Sequence, residues 1–224
     1  TYFRSSTKIF KITDRTAVVF NAPQEWAFLG ACNGILYAQD FKNGLLKFEN
    51  EVWAPAYELN TLPANDAVTG ILAVTPESAV ITTLKNGLYS LSFKSITVLQ
   101  SVNNAIFKTN RIYAVTAVNK EWMALASNNN GVYITDFKGN IVQSFSRTEG
   151  LQNNNVLSIF SDSQRNLWLG LDNGIDLITY NSSIKQIKPL LQDGSGYTAI
   201  LHDNRLDLGT SNGLFSVPMQ PGSD

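Results

Sequence analysis

The sequence predicts an all-β protein, a β-propeller of four-stranded blades. Three observations predict it. An Asn-Gly pair followed by an apolar residue recurs at Asn43-Gly44-Leu45, Asn86-Gly87-Leu88, Asn130-Gly131-Val132, Asn173-Gly174-Ile175 and Asn212-Gly213-Leu214, in steps of 43, 44, 43 and 39 residues. Each pair is bracketed by short β-rich runs, the pattern of a hairpin. No stretch shows 3.6-residue periodicity, so almost no helix is expected. A nearly constant step of this length is the mark of a repeat architecture in which each repeat is one supersecondary unit.

The elements follow in order. Asn-Gly is the preferred pair for a tight hairpin turn because both central residues can take positive φ. The strands that enter these turns read Leu36–Asp40, Val80–Leu84, Trp122–Ser127, Leu167–Asp172 and Leu206–Thr210. Those that leave read Leu45–Phe48, Leu88–Phe93, Val132–Phe137, Ile175–Tyr180 and Leu214–Val217. A further strand precedes each hairpin: Trp26–Ala31, Val68–Thr75, Ile112–Val118, Val156–Ser161 and Tyr197–His202. A fourth run follows at Ile96–Leu99, Ile141–Phe145 and Ile184–Ile187. One unit is therefore strand A, turn, strand B, Asn-Gly, strand C, turn, strand D, the plan of a propeller blade. Many strands are apolar for several residues without alternation, as in sheets covered on both faces.

Thr1–Ser6, Lys8–Ile12 and Ala17–Asn21 read as strands B, C and D of a blade without strand A. The last repeat supplies A, B and C. The expected division of the single domain 1–224 is a partial blade at 1–21, full blades at 22–63, 64–107, 108–149 and 150–192, and a second partial blade at 193–224. Two arrangements fit four full and two partial blades: a six-position ring with two thin blades, or a piece of a larger propeller. The partial propeller is the reading adopted.

The fourth unit carries the sharpest motif. It runs Gly150-Leu151-Gln152-Asn153-Asn154-Asn155-Val156-Leu157-Ser158-Ile159, then Asp162, Asn166-Leu167-Trp168-Leu169-Gly170 and Asp172-Asn173-Gly174-Ile175. This resembles the two-component regulator propeller repeat, roughly Gly-Leu-Pro-x-Asn-x-Val-x-x-Ile, an acidic turn, Asn-Leu-Trp-Ile-Gly-Thr and Asn-Gly-Leu. Partial matches occur at Arg205–Leu214, and at Thr61–Ile71 with Lys85–Leu88. The third unit keeps only Trp122 and Asn130-Gly131, and the first is the most divergent. The resemblance implies a periplasmic sensor of a hybrid histidine kinase and response regulator: dimeric, non-catalytic in the propeller, and responsive to oligosaccharides or related ligands. Kinase, DNA-binding and membrane segments would lie outside this sequence.

Composition narrows the functions. Seventeen basic and 18 acidic side chains give a net charge of −1, with no basic patch to meet a phosphate backbone, so no nucleic-acid partner is expected. One cysteine, Cys32 in the turn Ala31–Gly34, precludes an internal disulfide, and with a single histidine no His/Cys zinc site is expected. No run approaches the roughly 18 apolar residues of a membrane span. No phosphate cradle and no calcium loop occur, so no cofactor and no metal are expected.

In a propeller the D–A connections and B–C turns share one face around the channel. Here they are rich in amides and acids, which suit sugar hydroxyls. The candidate ligand residues are Asn65, Asp66, Asn128, Asn129, Arg147, Asn154, Asn155 and Asp172, although Asn and Asp are also what tight turns use. Trp122 and Trp168, equivalent in strand B, are expected to pack between blades; Trp53 is placed on an outer D strand, exposed. His202 with Asp203 has no nucleophile beside it and reads as a structural or exposed histidine. Three readings result: a carbohydrate-sensing propeller without catalysis, a platform for protein interaction or dimerisation, and a lyase of the streptogramin-inactivating type, which the single histidine disfavours.

Overall fold

The structure, a computed structural model, describes residues 1–57, 59–92, 95–180 and 194–218. The chain forms two compact units, Thr1–Asn181 and Ser182–Asp224.

The first unit begins with a three-stranded antiparallel sheet of β1 (Tyr2–Arg4), β2 (Lys8–Thr13) and β3 (Thr16–Asn21). A four-stranded antiparallel blade follows: β4 (Trp26–Cys32), β5 (Ile35–Asp40), β6 (Gly44–Glu49) and β7 (Val52–Pro55). The next blade is β9 (Val68–Thr75), β10 (Ser78–Thr83), β11 (Gly87–Ser92) and β12 (Ser95–Val98), and β8 (Leu59–Asn60) lies parallel on the β12 edge. The third is β13 (Ile112–Ala117), β14 (Trp122–Ser127), β15 (Val132–Asp136) and β16 (Ile141–Phe145). Then come β17 (Val156–Ser161), β18 (Leu167–Leu171) and β19 (Gly174–Ile178). The expected fourth run of that repeat, Ile184–Ile187, lies outside the described residues. The second unit is a meander of β20 (Gly196–His202), β21 (Arg205–Thr210) and β22 (Gly213–Pro218).

Inside the first unit the sheets stack face to face, and side-chain alternation along each B strand builds two cores at once. In β10, Ala79 and Ile81 join Tyr37, Leu45 and Val68 of the preceding interface, while Val80 turns to Leu88, Met123 and Leu125 of the next. In β14, Met123 and Leu125 face back, and Ala124 and Ala126 face forward onto Val156, Leu167 and Leu169. This two-sided burial is the physical reason that the B strands read as apolar runs. Small residues on one face of β14 meet large ones on β18, so the interface interdigitates.

Three features add to the expectation or differ from it, the first within the near absence of helix expected. First, a seven-residue helix, α1 (Asn104–Asn110), lies in the connection between β12 and β13 and inserts Phe107, fully buried, between two blades. Seven residues give only two turns, too few for a helical period to stand out. Second, the Asn-Gly turns do not place both residues at positive φ. Only the glycine does, at 76° in Gly44, 79° in Gly87 and 68° in Gly131. These are longer turns closed by a left-handed glycine. Pairs with both residues at positive φ occur instead at Asn33-Gly34, Asn50-Glu51 and Asp203-Asn204, in A–B and C–D turns. Third, Cys32 is the last residue of β4 and is buried, rather than lying in the turn.

Candidate functional site

The D–A connections and B–C turns are bonded to each other, so they form one edge of each sheet. In the blade β4–β7 the link is Asp40, fully buried at the end of β5. Its Oδ2 accepts from the backbone N–H of Gln24 (3.0 Å) and Glu25 (3.1 Å), and its Oδ1 from those of Lys42 and Asn43 (both 3.0 Å). In β9–β12 the carboxylate comes from the other side. Asp66, on the D–A connection, accepts from the backbone N–H of Lys85 (3.0 Å) and Asn86 (2.8 Å) and from Asn86 Nδ2 (2.8 Å). Where no carboxylate stands at the end of strand B, a hydroxyl closes the turn. Thr83 donates to Gly87 O and Ser127 to Gly131 O, both at 2.9 Å, and each accepts from the asparagine N–H before that glycine. In the second unit Ser211 N–H donates to Ser195 O at 3.0 Å, the same link between turn and connection.

Blades are also fastened to one another along this edge. Gln39 on β5 is buried, and its amide reaches the next blade. Nε2 donates to Asp66 O and Oε1 accepts from Val68 N–H, each at 2.7 Å. Gly131 N–H donates to Asn154 O at 2.8 Å, joining the β14–β15 turn to the connection before β17.

The eight sequence-predicted residues fall in two groups. Asn65 is exposed on the connection before β9, whereas its neighbour Asp66 is 2% exposed with its carboxylate engaged as above. The others lie on the β14–β15 turn, the connection before β17 and the β18–β19 turn. Asn154 Oδ1 accepts from Arg147 N–H at 2.7 Å, and Asp172 N–H donates to Asn155 O at 3.2 Å. Asn128 N–H donates to Asn110 O at 2.9 Å, and Asn129 is exposed in the same turn. Arg147 and Asp172 are exposed. Asn155 Oδ1 is shielded from solvent and has no hydrogen-bond partner among the described residues, an unmet acceptor that costs about 1–3 kcal/mol.

Sequence reasoning missed a cleft on this same edge, between β3 and the blade β4–β7. It is open to solvent, measures about 480 Å³, and is lined by Phe20, Trp26, Trp53, Asn21 and Asn43 together with Pro23, Leu46 and Pro55. Trp53 lies on β7, the outer D strand, as expected, but is half-buried rather than exposed. Its ring lies 5.6 Å from that of Trp26, 4.9 Å from that of Phe48 and 6.2 Å from that of Phe20. Trp26 is buried and donates its indole N–H to Phe20 O at 3.2 Å, while the Trp53 indole N–H, also shielded, has no acceptor among the described residues. An Asn preceding the Gly of a turn is so ordinary that Asn43, which marks the repeat, gave no sign of a ligand site.

The most specific motif residues occupy the opposite edge. Asp162, in the A–B turn, accepts from Trp168 Nε1 at 3.0 Å, from the backbone N–H of Asn166 (2.9 Å) and Gln164 (2.8 Å), and from Asn166 Nδ2 (3.1 Å). The indole bond leads the effects that hold its carboxyl below the ordinary value of 3.8. So the acid, the amide and the tryptophan of the repeat form one local clamp. Trp122 packs between blades as expected, its ring 6.3 Å from that of Tyr180. Trp168 is 44% exposed, on the face of β17–β19 turned away from β14.

His202 and Asp203 are exposed on the β20–β21 hairpin, with Nδ1 3.3 Å from Oδ2. Burial pushes the Cys32 thiol above its ordinary pKa. Among the described residues no group of three His, Cys, Asp or Glu side chains could hold a metal ion, and no helix is long and apolar enough to cross a membrane.

Comparison with known proteins agrees with the repeat and the fold. Residues 150–173 match the two component regulator propeller family. No curated protein sequence matches the chain. Among solved structures, the extracellular domain of a hybrid two component system from B. thetaiotaomicron aligns over 100% of this chain and 33% of its own, with a TM-score of 0.63 and 21% identity. The WD40 beta propeller domain of Doa1 aligns over 97% of this chain and 73% of its own, with a TM-score of 0.56 and 13% identity. PorZ, a surface component of the type-IX secretion system of Porphyromonas gingivalis, aligns over 95% and 36%, with a TM-score of 0.55 and 13% identity. At such identities the likeness speaks to the fold. The chain spans about a third of the length of the B. thetaiotaomicron domain. The chain thus adopts the β-propeller fold and carries, at residues 150–173, a repeat of the two component regulator propeller family.

Proposed function

We propose that this chain is part of an extracytoplasmic, periplasmic sensor propeller of a two-component signalling protein. The propeller binds a carbohydrate-like ligand on the edge of D–A connections and B–C turns, performs no catalysis, and relays occupancy to a kinase carried elsewhere in a homodimeric protein. The observation that carries this reading is the family match over residues 150–173. Likeness of fold to an extracellular domain of a hybrid two component system supports it. The chemistry of the edge agrees: Asn65, Asn129, Arg147 and Asp172 are exposed there, and sugar hydroxyls need both donors and acceptors. Isothermal calorimetry with neutral and acidic oligosaccharides tests it. Saturable heat with one glycan class is expected; silence with every glycan, together with binding of an unrelated ligand class, refutes the sugar assignment.

A second reading, a platform for protein interaction, is favoured by one observation. Phe160, Trp168, Ile175 and Leu177 on β17–β19 are all exposed. Self-association in light scattering that is lost in Phe160→Ser, in a chain that binds no glycan, would establish this reading instead.

A further inference from the structure

We infer that the cleft between β3 and the blade β4–β7 is a binding site for one or two rings of a neutral saccharide. The inference deepens the sensor reading and rests on it, but it names a place that lies away from the amide-rich loops around β17.

Four properties converge on this ligand. The volume, about 480 Å³, is enough for one or two sugar rings. The lining is largely aromatic: Phe20 and Trp53 are partly exposed in it, Trp26 is buried against Trp53, and the C–H faces of a pyranose stack on such partly exposed rings. No charged side chain lines the cleft, so an anionic sugar or a phosphate finds no counter-ion there. Two side-chain amides, those of Asn21 and Asn43, stand at its border without hydrogen-bond partners among the described residues. Each offers two donors and a carbonyl acceptor, the pairing that a vicinal diol requires.

The aromatic wall is also held ready. Trp26 is fixed by its bond to Phe20 O, and Trp53 by its contacts with Phe48 and Trp26. A rigid stacking surface loses little entropy when a ring settles on it. Asn43 belongs to the turn that Asp40 ties to Gln24 and Glu25, so occupancy at Asn43 bears directly on the connection between β3 and β4.

The test is a calorimetric and tryptophan-fluorescence titration of the 224-residue chain with maltose, cellobiose, xylobiose, arabinobiose and digalacturonate, and with a proline-rich peptide as a competing class. Asn21→Ala, Asn43→Ser and Trp53→Phe are compared with the parent chain, with melting curves to establish folding. One neutral disaccharide is expected to bind and to shift tryptophan emission to the blue. Each amide variant should weaken it by about tenfold, the worth of one to two hydrogen bonds. Digalacturonate should not compete. Saccharide binding unchanged in all three folded variants places the ligand elsewhere and overturns this site while the sensor reading stands. Preferential binding of digalacturonate, or of the peptide in a manner lost in Trp53→Phe, overturns the ligand class. No binding by any sugar overturns the site and the sugar assignment together.

Discussion

Gln39→Leu is the sharpest test of how the ligand edge is held. The two side chains have nearly the same volume, so packing is kept while both hydrogen bonds go. What remains is a buried carbonyl at Asp66 and a buried N–H at Val68, each formerly satisfied at 2.7 Å. An unmet buried backbone group costs about 1–3 kcal/mol, so two cost about 2–6 kcal/mol, reduced by about 1 kcal/mol for the added apolar burial. Gln39→Glu adds a sign test. One carboxylate oxygen can still accept from Val68 N–H, but the other faces Asp66 O, lone pair to lone pair. The folded state therefore favours the protonated acid, and its pKa rises above the unfolded value of about 4.3. A group so shifted has its stability in full below the unfolded pKa and loses it as pH rises through the folded one. Urea titrations should find Gln39→Glu close to the parent near about pH 4 and several kcal/mol weaker near about pH 7, with Gln39→Leu weakened alike at both. A Gln39→Leu chain within about 0.5 kcal/mol of the parent, or a Gln39→Glu chain that gains stability with pH, refutes the reasoning.

Three further outcomes follow from the same geometry. Asp40→Asn should destabilise the first unit by about 3 kcal/mol in urea titration, because an amide NH₂ then confronts backbone N–H groups that the second carboxylate oxygen accepts from. Cys32 should react with a disulfide reagent at least roughly tenfold more slowly in the native chain at neutral pH than after unfolding, since burial both shields the thiol and raises its pKa. Asp136 is pushed up by burial but pulled further down by N–H donors of Asn140 and Lys138, so its pKa lies below 3.8. A depressed acid contributes stability above its unfolded value and loses it as pH falls through the folded one. The acid limb of the melting profile should therefore flatten below about pH 4 in Asp136→Ala.

The blade plan was legible because two strong local signals coincide. Turn glycines recur at a fixed step, and B strands such as Val80–Thr83 must be apolar on both faces to sit between two neighbours. Strand limits came out within one or two residues in most cases, for instance Ile141–Phe145. What escaped notice depends on distant partners. The pairing of Leu59–Asn60 with β12 is a parallel contact of two residues, with no pattern to find. The role of Gln39 is set by a backbone carbonyl and an N–H 27 and 29 residues away. Asp40 and Asp66 do the same work from opposite sides of the edge, so no single sequence position marks it. Among the candidate residues, Asp66 looked like any acidic turn residue. Only the fold shows that its carboxylate faces inward to Lys85 and Asn86. The aromatic cleft draws on β3, β4, the β5–β6 turn, β6 and β7 at once, and adjacency of that kind cannot be read along the chain.

The central claim is that the edge made of D–A connections and B–C turns is where a ligand is sensed. Amide hydrogen exchange with and without a saturating saccharide tests it most directly. The account predicts slowed exchange at residues 22–25, 41–44, 65–67, 84–87 or 128–131 and 153–155, with A–B and C–D turns such as 33–34 and 162–166 unchanged. Protection confined to those A–B and C–D turns would contradict it.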